Sequence, residues 1–174
     1  MVNILARGDR VILRRPTAAD LELFCAEVAA SEELHAGWVH PPRTPVAFEM
    51  WLEAIKRPSV EAHLATTRDG RLAAVVNINN IFRGSLQSGS LGYYGFAATG
   101  GEGLVRESVA LVVRRAFREL GLHRVEANIQ PHNAASKRLV EALAFRHEGF
   151  SPSYLMVGGQ WRDHDRFALL STEA

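Results

Sequence analysis

A chain of 174 residues and 19.2 kDa, 47% hydrophobic and 22% charged, has the size and apolar content of one domain spanning 1–174 with a full core. Lys+Arg 20 against Asp+Glu 19 leaves a formal charge of +1, which excludes capture by nucleic acid or an anionic membrane through bulk charge. Cys25 is the only cysteine, so internal disulfides and cysteine metal cages are excluded, and a reducing, cytoplasmic setting is expected.

The segment 1–15 carries arginines at 7, 10, 14 and 15 without a sustained apolar run, and reads as neither signal peptide nor membrane anchor. The first strand falls on 10–14. Pro16 halts it, and Thr17 with Asp20 forms a short-armed capping box for a helix over 18–30, with Leu21, Phe24 and Val28 on its core face. Pro41, Pro42 and Pro45 make 37–45 a loop before a second helix over 46–56. From Val60 the period changes to two: Val60, Ala62 and Leu64 alternate with polar neighbours, Asp69-Gly70 is a hairpin turn, and 72–81 is the return strand. A further strand over 91–97 runs into Thr99-Gly-Gly-Glu-Gly103, then a long helix over 104–120 ending at Gly121. Residues 123–130 alternate, with Val125, Ala127 and Ile129 on one face and Arg124, Glu126, Asn128 and Gln130 on the other. Asn133 caps a short helix to about 143, and a hairpin turning at Gly158-Gly159 closes the chain. This order predicts an α+β fold, a mixed sheet flanked by helices.

Most of the chemistry lies in 91–105, where a glycine-rich loop joins a strand to the N-terminus of a long helix. First-turn amides lack intrahelical partners and the macrodipole adds positive charge, so such a loop binds phosphate through backbone alone. Gly100, Gly101 and Gly103 suit that role. The segment lacks the Gly-Lys-Ser/Thr ending of a P-loop and the spacing of a dinucleotide fingerprint.

Gly101-Glu102-Gly103-Leu104-Val105, then Asn133-Ala-Ala-Ser136, then Leu143-Ala-Phe145-Arg146-His-Glu148-Gly149, resemble the core of the GNAT superfamily of acetyl-CoA-dependent N-acetyltransferases. Asn80-Ile-Phe-Arg83-Gly84, Leu91-Gly92-Tyr93, His123-Arg124, Pro131-His132-Asn133, Tyr154-Leu155 and Gly159-Gln160-Trp161-Arg162-Asp163-His164 resemble the ribosomal-protein-alanine N-acetyltransferase branch. The resemblance covers roughly 71–168. It implies a central, mostly antiparallel sheet of six to seven strands, acetyl-CoA as cosubstrate, and an amine acceptor: the N-terminus of a protein such as a ribosomal protein, or a small amine. Under it, Gly100, Gly101, Glu102, Gly103, Leu104 and Val105 meet the pyrophosphate. Tyr94, Gly95, Phe96, Ala97 and Ala98 offer main-chain groups to the pantetheine amides, and Asn133 contacts the pantetheine arm.

The chain departs from the pattern at three positions. Ala98 stands where the family usually has Gln or Arg, Val140 where many relatives have a tyrosine proton donor, and Glu102 where the branch often has lysine. A carboxylate beside a pyrophosphate repels it unless it points to solvent, so replacing Glu102 with lysine is expected to tighten acetyl-CoA binding. With Val140 unable to donate, Ser136 inherits the proton-donor role, its alternative being a plain first-turn residue. Glu126 is the candidate base, on the polar strand face beside the cleft, its alternative being a strand residue paired with an arginine.

The seven histidines show no ligand spacing, so no metal is expected. Asp163 and His164, pointing to opposite strand faces, are read as fixing the last hairpin. Trp38 and Trp51 either line the acceptor mouth or belong to the core, and Glu32, Glu33, Glu49 and Glu53 suit a basic acceptor tail. A catalytically weak acetyl-CoA-binding sensor is the reading from another class. A homodimer is neither demanded nor excluded.

Overall fold

The computed structural model describes residues 3–174. Its strands are β1 (Ile4–Arg7), β2 (Val11–Arg14), β3 (Glu61–Thr67), β4 (Leu72–Phe82), β5 (Ser88–Gly95), β6 (Arg124–Ile129), β7 (Arg146–Val157) and β8 (Gln160–Leu170). Its helices are α1 (Leu21–Ala30), α2 (Glu32–His35), α3 (Pro45–Ala54), α4 (Leu104–Arg118) and α5 (Ala134–Glu141). The strands form one eight-stranded sheet in the order β1-β2-β3-β4-β5-β6-β8-β7. Every neighbouring pair is antiparallel except β5 and β6.

Helices cover both faces. On one, α4 and α5 bury Val109, Val112, Ala116 and Val140 against Val76, Ile78, Val125 and Phe167. On the other, Phe24, Val28 and Phe48 of α1 and α3 pack on Leu64, Val75 and Phe96. Each such side chain, fully withdrawn from water, contributes about 1.5–3 kcal/mol. Trp51 stacks on Phe24 with ring centroids 5.3 Å apart and so belongs to this second core.

Three local expectations are corrected. Strand β1 lies ahead of the expected first strand, in a stretch for which the sequence predicts no element, and pairs antiparallel with β2. Every residue of β3 is buried, its polar alternates included, because the strand is central and both faces are covered. Among those alternates, the buried imidazole of His63 donates from Nδ1 to the Val76 carbonyl at 2.9 Å, and burial pushes its pKa down to about 4. Strand β5 starts at Ser88 and stops at Gly95, so Ala97 and Ala98 lie in a 3-10 turn, Ala97–Thr99.

Asp20 accepts from the Thr17 amide at 2.7 Å, completing the capping box ahead of α1, and Arg14 adds an ion pair to the same carboxylate. Thr44 caps α3 by accepting from the Ala47 amide at 3.2 Å, with Pro45 in the first turn. Helix α4 stops at Arg118 with Glu119 as its C-cap, two residues short of the expected 120, and Gly121, at φ +64°, turns the chain in the left-handed region beyond it.

Candidate acetyl-CoA site and acceptor cleft

Strands β5 and β6 pair only from Ser88 opposite Arg124 to Leu91 opposite Ala127. Beyond that point they part, each bonded only to its outer neighbour, β4 or β8. The junction of α1 and α2 anchors the parted end. His35 Nε2 donates to the Gly95 carbonyl at 2.8 Å, and Ser31 Oγ accepts from the Ala97 amide at 2.8 Å. A cavity of about 810 Å³ occupies the gap.

At one end of the cavity lie Gly100, Gly101, Gly103, Leu104 and Val105. Gly103 caps α4 at φ +75°, a left-handed conformation that costs a side-chain-bearing residue about 1–2 kcal/mol. Gly95 lets α4 approach, since a Cβ there would sit 2.7 Å from Val105 Cγ2. The loop is also tied from below: Arg10 donates to the Glu102 carbonyl at 2.7 Å, and its guanidinium pairs with Glu107 at 3.1 Å. Glu102 does not line the cavity, and its carboxylate pairs with Arg71 at 2.9 Å. The repulsion expected from Glu102 is therefore offset by Arg71.

Two cations absent from the expected motif line the cavity instead: Arg106 in the first turn of α4 and Arg138 on α5, both exposed. Neither makes an ion pair among the described residues. On the sequence they look like the solvated faces of two amphipathic helices, so only tertiary placement reveals them.

The middle of the cavity holds the expected Asn133 and Ser136. Asn133 caps α5, its Oδ1 accepting from the Ser136 amide at 3.1 Å. The Ser136 hydroxyl lies 2.5 Å from the Tyr93 hydroxyl across the gap. Burial pushes the Tyr93 pKa up to about 12, with the Ser136 hydrogen bond opposing that shift, so the phenol is protonated throughout the neutral range. The sequence places Tyr93 in a strand and in the branch-like Leu91-Gly92-Tyr93, without a site role; its partner lies 43 residues away.

Of the other expected residues, Tyr94, Gly95 and Phe96 line the cavity, whereas Ala97 and Ala98 do not. Glu126 does not line it either. Arg124 Nε holds one carboxylate oxygen at 2.9 Å and an Arg166 nitrogen holds the other at 2.9 Å.

The acceptor end is walled by Leu34, Trp38 and Val39 from α2 and the loop after it, and by Asn128, Gln130 and His164. Gln130 ties this wall together by donating to the Gly37 carbonyl at 3.0 Å. Among the described residues, no Asp or Glu lines the cavity, and Glu32, Glu33, Glu49 and Glu53 stand outside it. Asp163 accepts from the Ser153 amide at 2.7 Å and so fixes the hairpin, as expected. His164 faces the cavity and was missed, because strand alternation says which face it takes and not what lies there. No group of three or more possible metal-ligating side chains occurs among the described residues, and no helix is long and apolar enough to cross a membrane.

A mixed sheet parted at its one parallel pair, with a glycine loop and helix N-terminus at the opening, fits an acyl-CoA: loop amides for the pyrophosphate, free strand edges for the pantetheine amides. Comparisons with known proteins agree. The acetyltransferase (GNAT) domain model matches residues 10–146, and the chain belongs to that family. It is 40% identical over 108 residues to the probable N-acetyltransferase YjcK of Bacillus subtilis. It is 37% identical over 102 residues to the [ribosomal protein uS5]-alanine N-acetyltransferase of Escherichia coli. These alignments span 62% and 59% of this chain and only 60% and 53% of the relatives' lengths. Among solved structures, Mycobacterium smegmatis RimJ in complex with CoA-disulfide superposes with a TM-score of 0.86 at 24% identity, covering 94% of this chain and 83% of that one. That likeness establishes the fold.

Proposed function

We propose that the protein is an acetyl-CoA-dependent N-acetyltransferase acting on the N-terminal α-amino group of a protein, a ribosomal protein beginning with alanine being the first candidate. The observation that carries this reading is the Tyr93–Ser136 hydroxyl pair at the parting of β5 and β6, on the same cavity as the glycine loop. The name of the Escherichia coli relative supplies the candidate acceptor.

An α-amino group with a pKa near about 7.7–8.0 is roughly one-tenth neutral at pH 7, so it needs less help than a lysine amine. The amine nitrogen bonds to the thioester carbon, the C–S bond breaks, and the electron pair leaves on sulfur. Ser136 Oγ passes a proton to that sulfur while taking the one shed by the new amide nitrogen. Tyr93 holds the serine hydroxyl in place, and the positive end of α5 stabilises the developing thiolate. Arg106 and Arg138 supply charge for the phosphates that Ala98 does not. Glu126, held by two arginines away from the cavity, is a strut of the sheet.

The acceptor wall favours a small uncharged terminal residue. Its lining is apolar or neutral apart from His35 and His164, and a polyamine would need the carboxylates that the cavity lacks. The test is mass spectrometry of peptides with varied first residues, plus spermine, each incubated with the protein and acetyl-CoA. Acetylation restricted to peptides beginning with alanine or another small residue supports the reading. Acetylation of spermine alone contradicts it, and acetyl-CoA binding without any acetylated product favours a sensor.

A further inference from the structure

We infer that His164 is the general base of the reaction, taking a proton from the incoming ammonium through Nε2. The inference rests on the N-acetyltransferase reading and adds a catalytic residue to it. Transfer from an α-ammonium needs one proton removed before nitrogen can attack; the acceptor for that proton works directly or through one water, and a direct one must touch the cavity. Among the described residues no carboxylate does, and Glu126 has both oxygens engaged by arginines. The imidazoles on the cavity are those of His35 and His164, and burial pushes the pKa of both Tyr93 and Tyr94 up, which keeps the phenols protonated. His35 spends Nε2 on the Gly95 carbonyl, and its Nδ1 is sealed from solvent.

His164 is arranged differently. Only 3% of it is exposed, and Nδ1 donates to the Arg162 carbonyl at 2.9 Å. That bond fixes the tautomer and leaves Nε2 with a free lone pair. Nε2 has no partner among the described residues and is not among the solvent-sealed atoms, so it opens to the cavity that the residue lines. Asn128, one strand away on the same wall, has an Oδ1 that is buried without a partner, an acceptor available to a second N–H of the ammonium. The charged and titratable groups facing His164 are Tyr154, whose ring lies 6.1 Å away edge-on, and on the same sheet face Arg162, Arg166 and Glu126. Arg166 is occupied by Glu126 and by the Tyr154 ring, 4.4 Å below its guanidinium. The proton balance closes: Nε2 takes one proton from the ammonium and gives it to water, and the second proton shed by nitrogen ends on the sulfur.

The test is kcat/KM against pH between 5.5 and 9.5 for wild type, His164→Asn, His164→Gln and Glu126→Gln, on an alanine-initiated peptide and on spermine. His164→Asn keeps an N–H for the Arg162 carbonyl while removing the base; thermal melting and calorimetric titration of acetyl-CoA report its fold and cosubstrate site. The wild-type profile is expected to level off below the acceptor's own pKa. In His164→Asn it is expected to climb with unit slope to the acceptor's own pKa, with roughly a tenfold loss at pH 7 on the peptide that shrinks as pH rises, and added imidazole is expected to restore part of the rate. A wild-type profile in His164→Asn and His164→Gln, or the loss of the plateau in Glu126→Gln instead, overturns the assignment and leaves the acetyltransferase reading standing. Failure of wild type to acetylate either amine overturns both.

Discussion

The two ends of the cavity are built by different means. At the phosphate end the working groups are main-chain amides, and the loop's geometry is set by residues adjacent in sequence: Gly100, Gly101 and Gly103 leading into α4. At the acceptor end the working groups are side chains on α2, the loop after it, β6 and β8, spread along the chain from Leu34 to His164. A backbone site tolerates changes in the side chains around it, which is how the chain keeps its loop with Ala98 and Glu102 in unfavourable motif positions. A side-chain site has no such tolerance and changes specificity with single substitutions.

The largest effect expected at the phosphate end is that of Gly103→Val. A β-branched residue at φ +75° strains the cap and turns the first amides of α4 out of line. Calorimetry should show acetyl-CoA binding weakened by at least about tenfold, with a lower melting temperature. An unchanged affinity would mean that the loop backbone is not the phosphate site.

In the middle of the cavity, Tyr93→Phe should lower kcat by about tenfold through loss of a hydrogen bond to the donor serine, with acetyl-CoA affinity held. Its effect should largely vanish in a Ser136→Ala background, because the two hydroxyls act as a unit. Additive losses in a double-mutant cycle would separate them.

Arg106→Ala and Arg138→Ala should each weaken acetyl-CoA binding by a few-fold, with a shallower dependence of affinity on salt, as expected of exposed charges meeting a phosphate. The smallest effect belongs to Glu102→Lys. With the carboxylate already on Arg71 and outside the cavity, acetyl-CoA affinity should stay within about twofold of wild type rather than tighten. A marked gain would show that the side chain reaches the phosphates after all.

The same contrast explains what could be read in the sequence. Element types, the sheet-and-helix class, the glycine loop, Asn133 as a cap and Ser136 one turn later all rest on local pattern. The missing tyrosine at Val140 and the missing Gln or Arg at Ala98 are read from the family resemblance, by counting from its motifs. Tyr93, Arg106, Arg138 and His164 are different. Each looks ordinary in its own segment, a strand aromatic, two helix-surface cations and a hairpin histidine, and meets the others only on the cavity where β5 and β6 part. Glu126 shows the converse: alternation puts it on the expected polar face, and Arg124 and Arg166, the latter 40 residues further on, engage both its carboxylate oxygens. Trp38 and Trp51, indistinguishable in the sequence, separate into cavity wall and core.

The most direct measurement runs acetyl-CoA affinity and turnover side by side for wild type and Ser136→Ala, on the acceptor that the peptide panel identifies. The expected result is a calorimetric Kd within about twofold of wild type and a kcat lower by roughly a hundredfold, the range of a lost proton donor. Turnover that survives the substitution, or a loss fully explained by weaker acetyl-CoA binding, would contradict a reaction centred on Ser136 and Tyr93.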